Sequence, residues 1–174
     1  MRSTAIACSY LCAKAWVDAR SEKLAKQREQ MAKKIERQMD RERKEKLKSL
    51  RDWKKDAQTW VNKYVRMRDD ALPCISCGRH HQGQYHAGHY LSRGAHPELS
   101  LELRNIHKQC APCNNHLSGN QVKYRFGLIE RYGVEYVEWL EGPHEPKKTT
   151  IDDCKAIIAE MKLLIKGLKN GNQE

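Results

Sequence analysis

The chain has 174 residues, the length of one ordinary domain with appendages. Only 39% of its residues are hydrophobic and 32% are charged, so we expect a small core and much solvated helix. The longest apolar stretch near the start, residues 4–8, is too short for a secretory signal or a membrane span, and we therefore expect a cytoplasmic protein.

The net charge of +11 is concentrated in the first 72 residues, which hold 20 Lys and Arg against 11 Asp and Glu. Residues 73–174 hold 13 against 11. A basic half of this kind is typical of a segment that binds a polyanion, because neutralising phosphates releases condensed counterions. A solvated coiled coil would have the same composition, so the charge leaves both interpretations open.

Residues 1–52 are predicted to form a basic helical arm. Neither Gly nor Pro occurs before Pro73, and residues 13–68 are rich in good helix formers, which predicts one or two long helices. The apolar residues of the arm form a narrow stripe of Leu24, Met31, Ile35 and Met39. This stripe is too thin for a buried helix.

Residues 53–142 are predicted to form the compact domain. Its first helix carries a broad apolar face of Trp53, Ala57, Trp60, Val61, Tyr64 and Met67, which indicates packing on a core. Gly and Pro then punctuate residues 71–120, which predicts short strands and loops. Helix is predicted to return after Cys113 as far as Gly133, followed by a second short helix over residues 134–140.

Residues 143–174 are predicted to be a linker followed by an amphipathic helix that begins after Thr150, a good N-cap residue. Its apolar residues step at heptad spacing through Ile151, Cys154, Ile158, Met161, Ile165 and Leu168. The seam could pack within the chain on the long N-terminal helix or self-associate as a homodimer, and the short run leaves both open.

Four of the seven cysteines form two C-x-x-C pairs, Cys74 with Cys77 and Cys110 with Cys113. Disulfides are not expected in a reducing compartment, whereas four thiolates suit tetrahedral Zn²⁺. A closed four-sulfur site predicts a structural role, with redox activity as the alternative. Cys8 and Cys12 could also recruit an ion between subunits. A remnant of a longer zinc-binding segment or a shortened gene start would explain them as well.

Three polar clusters lie between and just after the cysteine pairs, around His89, Asn105 and Asn114. If the zinc ties a strand, a turn and a helix together, these side chains would meet at one edge. Imidazole and amide oxygen could there hold a divalent ion and activate water for phosphodiester hydrolysis. The asparagines could equally cap turns, and His107 or His116 could complete a mixed zinc site.

The order C-x-x-C, then Gly88-His89, then Asn105 followed by C-x-x-C-N resembles the zinc-bearing HNH nuclease motif. The segments 69–78, 87–90, 104–110 and 118–120 closely resemble the lambda NinG family, also called Rap, within a likeness that spans about residues 60–168. The resemblance implies an α+β, mainly helical fold with a small ββα-metal unit. It also implies a phage recombination endonuclease that cuts branched DNA, such as Holliday junctions and D-loops, with a divalent cation.

Carried over by position, the resemblance makes His89 the general base and gives Asn105 the task of orienting it. Asn114, His116 and His86 become candidate ligands of a catalytic Mg²⁺ or Mn²⁺. The chain departs from the pattern at Gly88, where many HNH enzymes have Asp or His directly before the base. His86 stands where we expect Asp in the nearest relatives.

Basic residues flank these clusters and are candidate phosphate contacts in branched DNA: Arg93, Arg104, Lys108, Lys123 and Arg125. The remaining histidines are expected to be solvated loop residues without a role: His80, His81, His96 and His144. Two rival functions remain, a non-catalytic zinc-containing DNA-binding recombination mediator and a helical scaffold that binds protein partners.

Overall fold

The computed structural model describes residues 9–171, and Cys8 therefore lies outside the described residues. The first helix, α1, spans Tyr10–Lys46 and begins at Ser9, whose hydroxyl accepts a hydrogen bond from the Cys12 amide. None of the residues of α1 is buried. Ion pairs one turn apart, such as Glu22 with Lys26, lie along its surface.

Helix α2 spans Leu50–Arg68 and begins in a capping box formed by Ser49 and Asp52. The predicted apolar face is confirmed in its main part, because Trp53, Ala57 and Val61 are buried. Trp60, Tyr64 and Met67 lie at the edge of the buried face and are half-buried. The face is completed by Val65, which the predicted set omitted.

The predicted short strands are a single antiparallel pair. Strand β1 spans Tyr85–His89 and β2 spans Ile106–Cys110, with His86 opposite Gln109 and Gly88 opposite His107. Alternate residues of a strand point to opposite faces. Ala87 and Ile106 accordingly contact the cluster formed by α2 and α5 (Ile151–Gly171), whereas Gly88 lies against side chains on the other face.

The chain leaves β2 through a short π-helical turn over Pro112–His116 and then α3 (Gln121–Tyr132) and α4 (Val134–Glu141). Three consecutive residues between the turn and α3 have positive φ: Ser118, Gly119 and Asn120. The expected continuous helix after Cys113 is therefore wrong at this point. The left-handed bend directs Asn120 back to the cysteines, where its amide lies 3.6 Å from Cys113 Sγ.

Helix α5 begins at a capping box in which Thr150 and Asp153 exchange hydrogen bonds. Its predicted seam is buried at Cys154, Ile158 and Met161, which pack against α2. The seam therefore packs within the chain, which is one of the two alternatives that we expected. A homodimer remains a prediction.

Two compact units divide the chain, one ending at Lys48 and the other beginning at Ser49, and the second contains α5. Within the second unit, one hydrophobic cluster joins α3 and α4 to Ile75 in the loop after α2. Two other clusters join α2 to α5 and β2. No helix among residues 9–171 is both long and apolar enough to cross a membrane.

Candidate metal centres and nuclease site

Four cysteine side chains converge where the loop after α2 meets the end of β2. Cys74 and Cys77 come from that loop, Cys110 ends β2, and Cys113 lies in the π-helical turn. Their sulfur atoms all lie within 4.8 Å of one another, and Cys77 Sγ is 3.9 Å from Cys110 Sγ. Four Zn–S bonds of about 2.3 Å would set tetrahedral sulfurs roughly 3.8 Å apart, so the cluster can bind a metal such as zinc.

The surroundings of the cluster also suit a cation. Burial raises the pKa of Cys110 to about 12, and burial likewise raises the pKa of Cys113. Four thiolates this close would repel one another without a positive charge between them. The Cys110 amide lies 3.3 Å from Cys74 Sγ, which is a further interaction that favours the thiolate form.

His81 takes part in this cluster, although we expected it to be a solvated loop residue. Its Nε2 lies 3.2 Å from Cys77 Sγ. Burial opposes ionisation of Cys77, but hydrogen bonds from His81 and from the Arg79 backbone lower the pKa of this thiol to about 6. The spacing of four residues between Cys77 and His81 was the available sequence signal.

A second polar cluster forms on the face of β1 that Gly88 occupies. His86 Nδ1 lies 3.0 Å from Asn114 Nδ2, so two of the predicted ligands of the catalytic ion are brought together. A Cβ atom added at Gly88 would overlap Gln109 Oε1 and lie 3.1 Å from Asn114 Oδ1. The departure at Gly88 thus has a steric reason, because two amide side chains fill the space that a side chain there would need.

His89 is half-buried at the end of β1, and its Nε2 lies 3.0 Å from the Ser100 carbonyl oxygen. A carbonyl oxygen only accepts, so this bond puts the proton on Nε2 and leaves Nδ1 with a free lone pair. Burial lowers the pKa of His89, the Ser100 bond opposes this, and the nearby Arg93 lowers it further. The ring is therefore neutral near pH 7.

Asn105 is fully buried and closes the loop that follows β1. Its side chain accepts a hydrogen bond from the Leu91 amide and donates to the carbonyl oxygens of Leu91 and Leu99. Its own carbonyl accepts from the Tyr90 amide. Ser100, which holds His89, directly follows Leu99, so this arrangement is consistent with the orienting task expected of Asn105.

A buried ion pair beside β2 was not predicted from the sequence. The Arg68 guanidinium donates two hydrogen bonds of 2.7 and 2.9 Å to the Asp69 carboxylate, which also accepts a hydrogen bond from the Lys108 amide. Burial would raise the pKa of Asp69, but the ion pair with Arg68 outweighs it and lowers the pKa. The pair anchors the end of α2 to the strands.

The expectation that His107 could complete the metal site has no support, since no described contact joins His107 to the cysteines.

The remaining predicted residues differ in accessibility. His116 is exposed at the end of the π-helical turn, and Arg93 and Lys123 are exposed. The Arg104 guanidinium lies over the Trp139 ring at 4.6 Å, and Arg125 is paired with Glu141. Lys108 corrects our expectation of a phosphate contact, because it is only 5% exposed and its ammonium donates to the Asp70 carbonyl.

A groove beside His89 supplies basic residues that the sequence did not single out. Arg51, Lys54 and Lys55 of α2 line it together with Arg93, and so does Ser100, the hydrogen-bond partner of His89. Helical spacing alone could have placed the α2 residues on one face, but not beside the loop after β1. Asp52 also lines the groove, so its four basic residues leave an excess of positive charge beside Ser100.

These features define a class of protein, a mainly helical chain with a two-stranded sheet and a four-cysteine cluster able to hold a metal such as zinc. The particular family follows from comparison with known proteins. Residues 1–172 match the family described as "Bacteriophage Lambda NinG protein". The chain belongs to the NinG family.

Individual relatives agree with this assignment. The chain is 48% identical over 128 residues to protein ninG of Escherichia phage lambda and 47% identical over 128 residues to protein ninG of Salmonella phage P22. Each alignment covers 74% of this chain and 63% of the relative, so the chain spans slightly less than two thirds of their length. None of the solved structures matches the chain.

Proposed function

We propose that this chain is a metal-dependent DNA endonuclease of the HNH type that cuts branched recombination intermediates such as Holliday junctions and D-loops. One observation carries the proposal. A neutral His89 with a free Nδ1 follows directly on Gly88, around which His86 and Asn114 converge. Hydrolysis of a phosphodiester requires a base and a divalent ion, and in this proposal His89 is the base while the polar cluster around the preceding residue of β1 holds the ion.

In the proposed mechanism His89 Nδ1 takes a proton from the attacking water, while the Ser100 carbonyl holds the ring through Nε2. Asn105 acts as a positioning residue, since its bond to the Leu99 carbonyl fixes the loop that carries Ser100. Asn114, His86 and His116 are the candidate ligands of Mg²⁺ or Mn²⁺. A bound ion supplies the positive charge that stabilises the phosphate and the leaving 3′ oxygen.

We assign the cysteine cluster to a structural zinc, because four sulfurs fill a tetrahedral shell and leave no position for water. The basic groove beside His89 and the exposed Arg93 and Lys123 are proposed to contact phosphates. The basic helix α1 would add affinity for DNA that does not depend on sequence. Two symmetric cuts across a junction would make a homodimer natural.

A second candidate function, a non-catalytic DNA-binding recombination mediator, is favoured by one observation. Among residues 9–171, the four cysteines are the one group of three or more His, Cys, Asp and Glu side chains arranged to hold an ion. The proposed catalytic ion would therefore depend on amide oxygens in place of carboxylates.

Cleavage of a four-way junction with and without Mg²⁺ separates the two functions. His80→Ala is the matched control for His89→Ala, because His80 is exposed and lies outside the site. We expect the His89 variant to lose about 10²- to 10⁴-fold in cleavage while it binds the junction normally, and the control to cut like the parent. Normal binding without cutting under any divalent metal would support the mediator.

A further inference from the structure

We propose that Gln109 supplies a side-chain oxygen ligand to the catalytic ion, in the place of the side chain that Gly88 lacks. The inference rests on the proposed nuclease function. Gln109 lies in β2 opposite His86 and is fully buried. A glutamine carries no charge, so no sequence signal placed it in a metal site.

The orientation of the Gln109 amide is fixed by its nitrogen. Nε2 donates to Ser76 Oγ at 2.7 Å and to the Gly119 carbonyl oxygen at 2.6 Å. Because the Gly119 carbonyl can only accept, the nitrogen must lie on that side. The oxygen Oε1 is thereby directed toward Gly88, where an added Cβ would overlap it.

Gln109 Oε1 is buried and has no hydrogen-bond partner among the described residues. Buried polar atoms of this kind are normally satisfied, since an unmade bond costs about 1–3 kcal/mol. Asn114 Oδ1 lies 3.1 Å from the same Cβ position at Gly88. Two amide oxygens with negative partial charge therefore lie close together beside Gly88, and a cation next to this pair would be favoured.

The Asn114 amide cannot rotate to donate a hydrogen bond to Gln109 Oε1 without losing its present contacts. Its Nδ2 already contacts His86 Nδ1 at 3.0 Å and Asn115 Oδ1 at 2.9 Å. Turning the amide to donate to Gln109 would bring its oxygen against the Asn115 oxygen. Amide oxygens and imidazole are suitable ligands for Mn²⁺, and Mg²⁺ binds oxygen while it retains several waters.

The same side chain connects the two metal centres. Ser76 lies between Cys74 and Cys77, and Gly119 directly precedes Asn120, which contacts Cys113. The cysteine cluster thus holds Gln109 from two sides and fixes the direction of its oxygen. A structural metal would in this way preorganise the catalytic one.

Binding of Mn²⁺ alone to the zinc-loaded full chain tests the inference, with unbound Mn²⁺ measured by electron paramagnetic resonance. Gln109→Met keeps the size of the side chain but removes the oxygen. Gln58→Met is the matched control, because Gln58 is another buried glutamine, whose amide donates to Asn62 within α2. We expect the Gln109 variant to bind Mn²⁺ at least about tenfold more weakly and the control to stay within about twofold of the parent.

A second pair of variants keeps the test decisive if Gln109→Met fails to fold with its zinc. Gly88→Ala adds a Cβ that overlaps Gln109 Oε1, whereas a Cβ at Gly94 would meet open space. We expect Gly88→Ala to weaken Mn²⁺ binding and Gly94→Ala to leave it unchanged.

The outcomes separate this inference from the function on which it rests. If Gln109→Met binds Mn²⁺ like the parent while Asn114→Ala loses the ion, the ion site stands and the role of Gln109 is wrong. If the parent chain takes up no Mn²⁺, both the ion site and the inference are overturned.

Discussion

His107 is almost completely buried, and its hydrogen bonds define its protonation. Arg68 Nη2 lies 3.1 Å from His107 Nδ1, which must therefore accept, and His107 Nε2 lies 3.0 Å from the Arg104 carbonyl oxygen, to which it donates. Burial, followed by the charge of Arg68, lowers the pKa of His107 to about 4. The neutral ring is thus part of the fold and joins α2 to β2.

We predict that this histidine makes stability depend on pH. The unfolded chain binds a proton at His107 near pH 6.5, but the folded chain does so only near pH 4, so the stabilisation is complete above pH 6.5 and is lost as the pH falls toward 4. Between pH 7.5 and 5 the loss should be about 2 kcal/mol. Urea unfolding at the two values measures it.

His107→Gln is the control, because glutamine offers one acceptor and one donor but does not titrate. Protonation of the cysteines affects both proteins equally. The parent should therefore lose about 2 kcal/mol more than the variant over the same pH interval. Equal losses would show that His107 is not the titrating group.

At the scale of elements, α3 is docked closely on the cysteine loop. A Cβ at Gly127 would overlap the carbonyl oxygen of Ile75, which is a backbone atom with little freedom to move. Gly167 in α5 meets nothing within 4 Å and is the matched helical control. The glycine in α3 is therefore required by packing, whereas the glycine in α5 is not.

We predict opposite effects of alanine at the two positions. Gly127→Ala should destabilise the zinc-loaded chain by about 1–3 kcal/mol through overpacking. Gly167→Ala should stabilise it by about 0.5–1 kcal/mol, because alanine loses less backbone entropy in a helix. Thermal unfolding of both variants measures the difference, and a stabilised Gly127→Ala would contradict the close docking.

Periodicity predicted α2 and α5 well because each of these helices buries one face. The spacing from Trp53 to Val61 was enough to place α2 on a core, and Thr150 was enough to place the start of α5. The bend at residues 118–120 was not predicted, since serine has no intrinsic preference for the left-handed conformation that Ser118 adopts beside the hydrogen bonds of Gly119 and Asn120.

Only those residues of the candidate site that belong to a recognisable sequence motif could be predicted. The C-x-x-C spacing predicted the cysteine cluster, and the meeting of His86 with Asn114 followed from the family resemblance. The contact of His81 with Cys77 had only their four-residue spacing as a signal, and the burial of Gln109 depends on distant segments. Polar residues in a short buried strand have no periodic signal that separates them from solvated ones.

At the scale of the whole molecule, the metal in the cysteine cluster should decide whether the second unit folds. We predict one zinc per chain and, for Cys74→Ser, loss of that zinc with a fall in melting temperature of roughly 10 °C or more. Cys12→Ser is the control, since Cys12 is exposed on α1. Metal analysis and calorimetry check both, and full zinc retention in Cys74→Ser would contradict the assignment.

The basic surface of α1 should contribute salt-dependent affinity for DNA. Lys34, Arg37 and Arg41 follow one another at spacings of three and four, so they share a helix face, and no ion pair within residues 9–171 involves them. Replacing all three by alanine should weaken junction binding and lower the slope of log affinity against log salt by up to about three. Lys26→Ala, whose cation is paired with Glu22, should change the slope least, and an unchanged slope in the triple variant would support the scaffold alternative.

The most direct test of the account is chemical rescue of His89→Ala in single-turnover cleavage of a four-way junction with Mg²⁺. Removing the ring leaves a half-buried space beside Ser100, and added imidazole can act there as the missing base. We predict that the variant cuts about 10²- to 10⁴-fold more slowly and that imidazole restores part of the rate. The account would be contradicted if the His89→Ala variant cut as fast as the parent. It would also be contradicted if the parent showed no cleavage with any of the divalent metals tested.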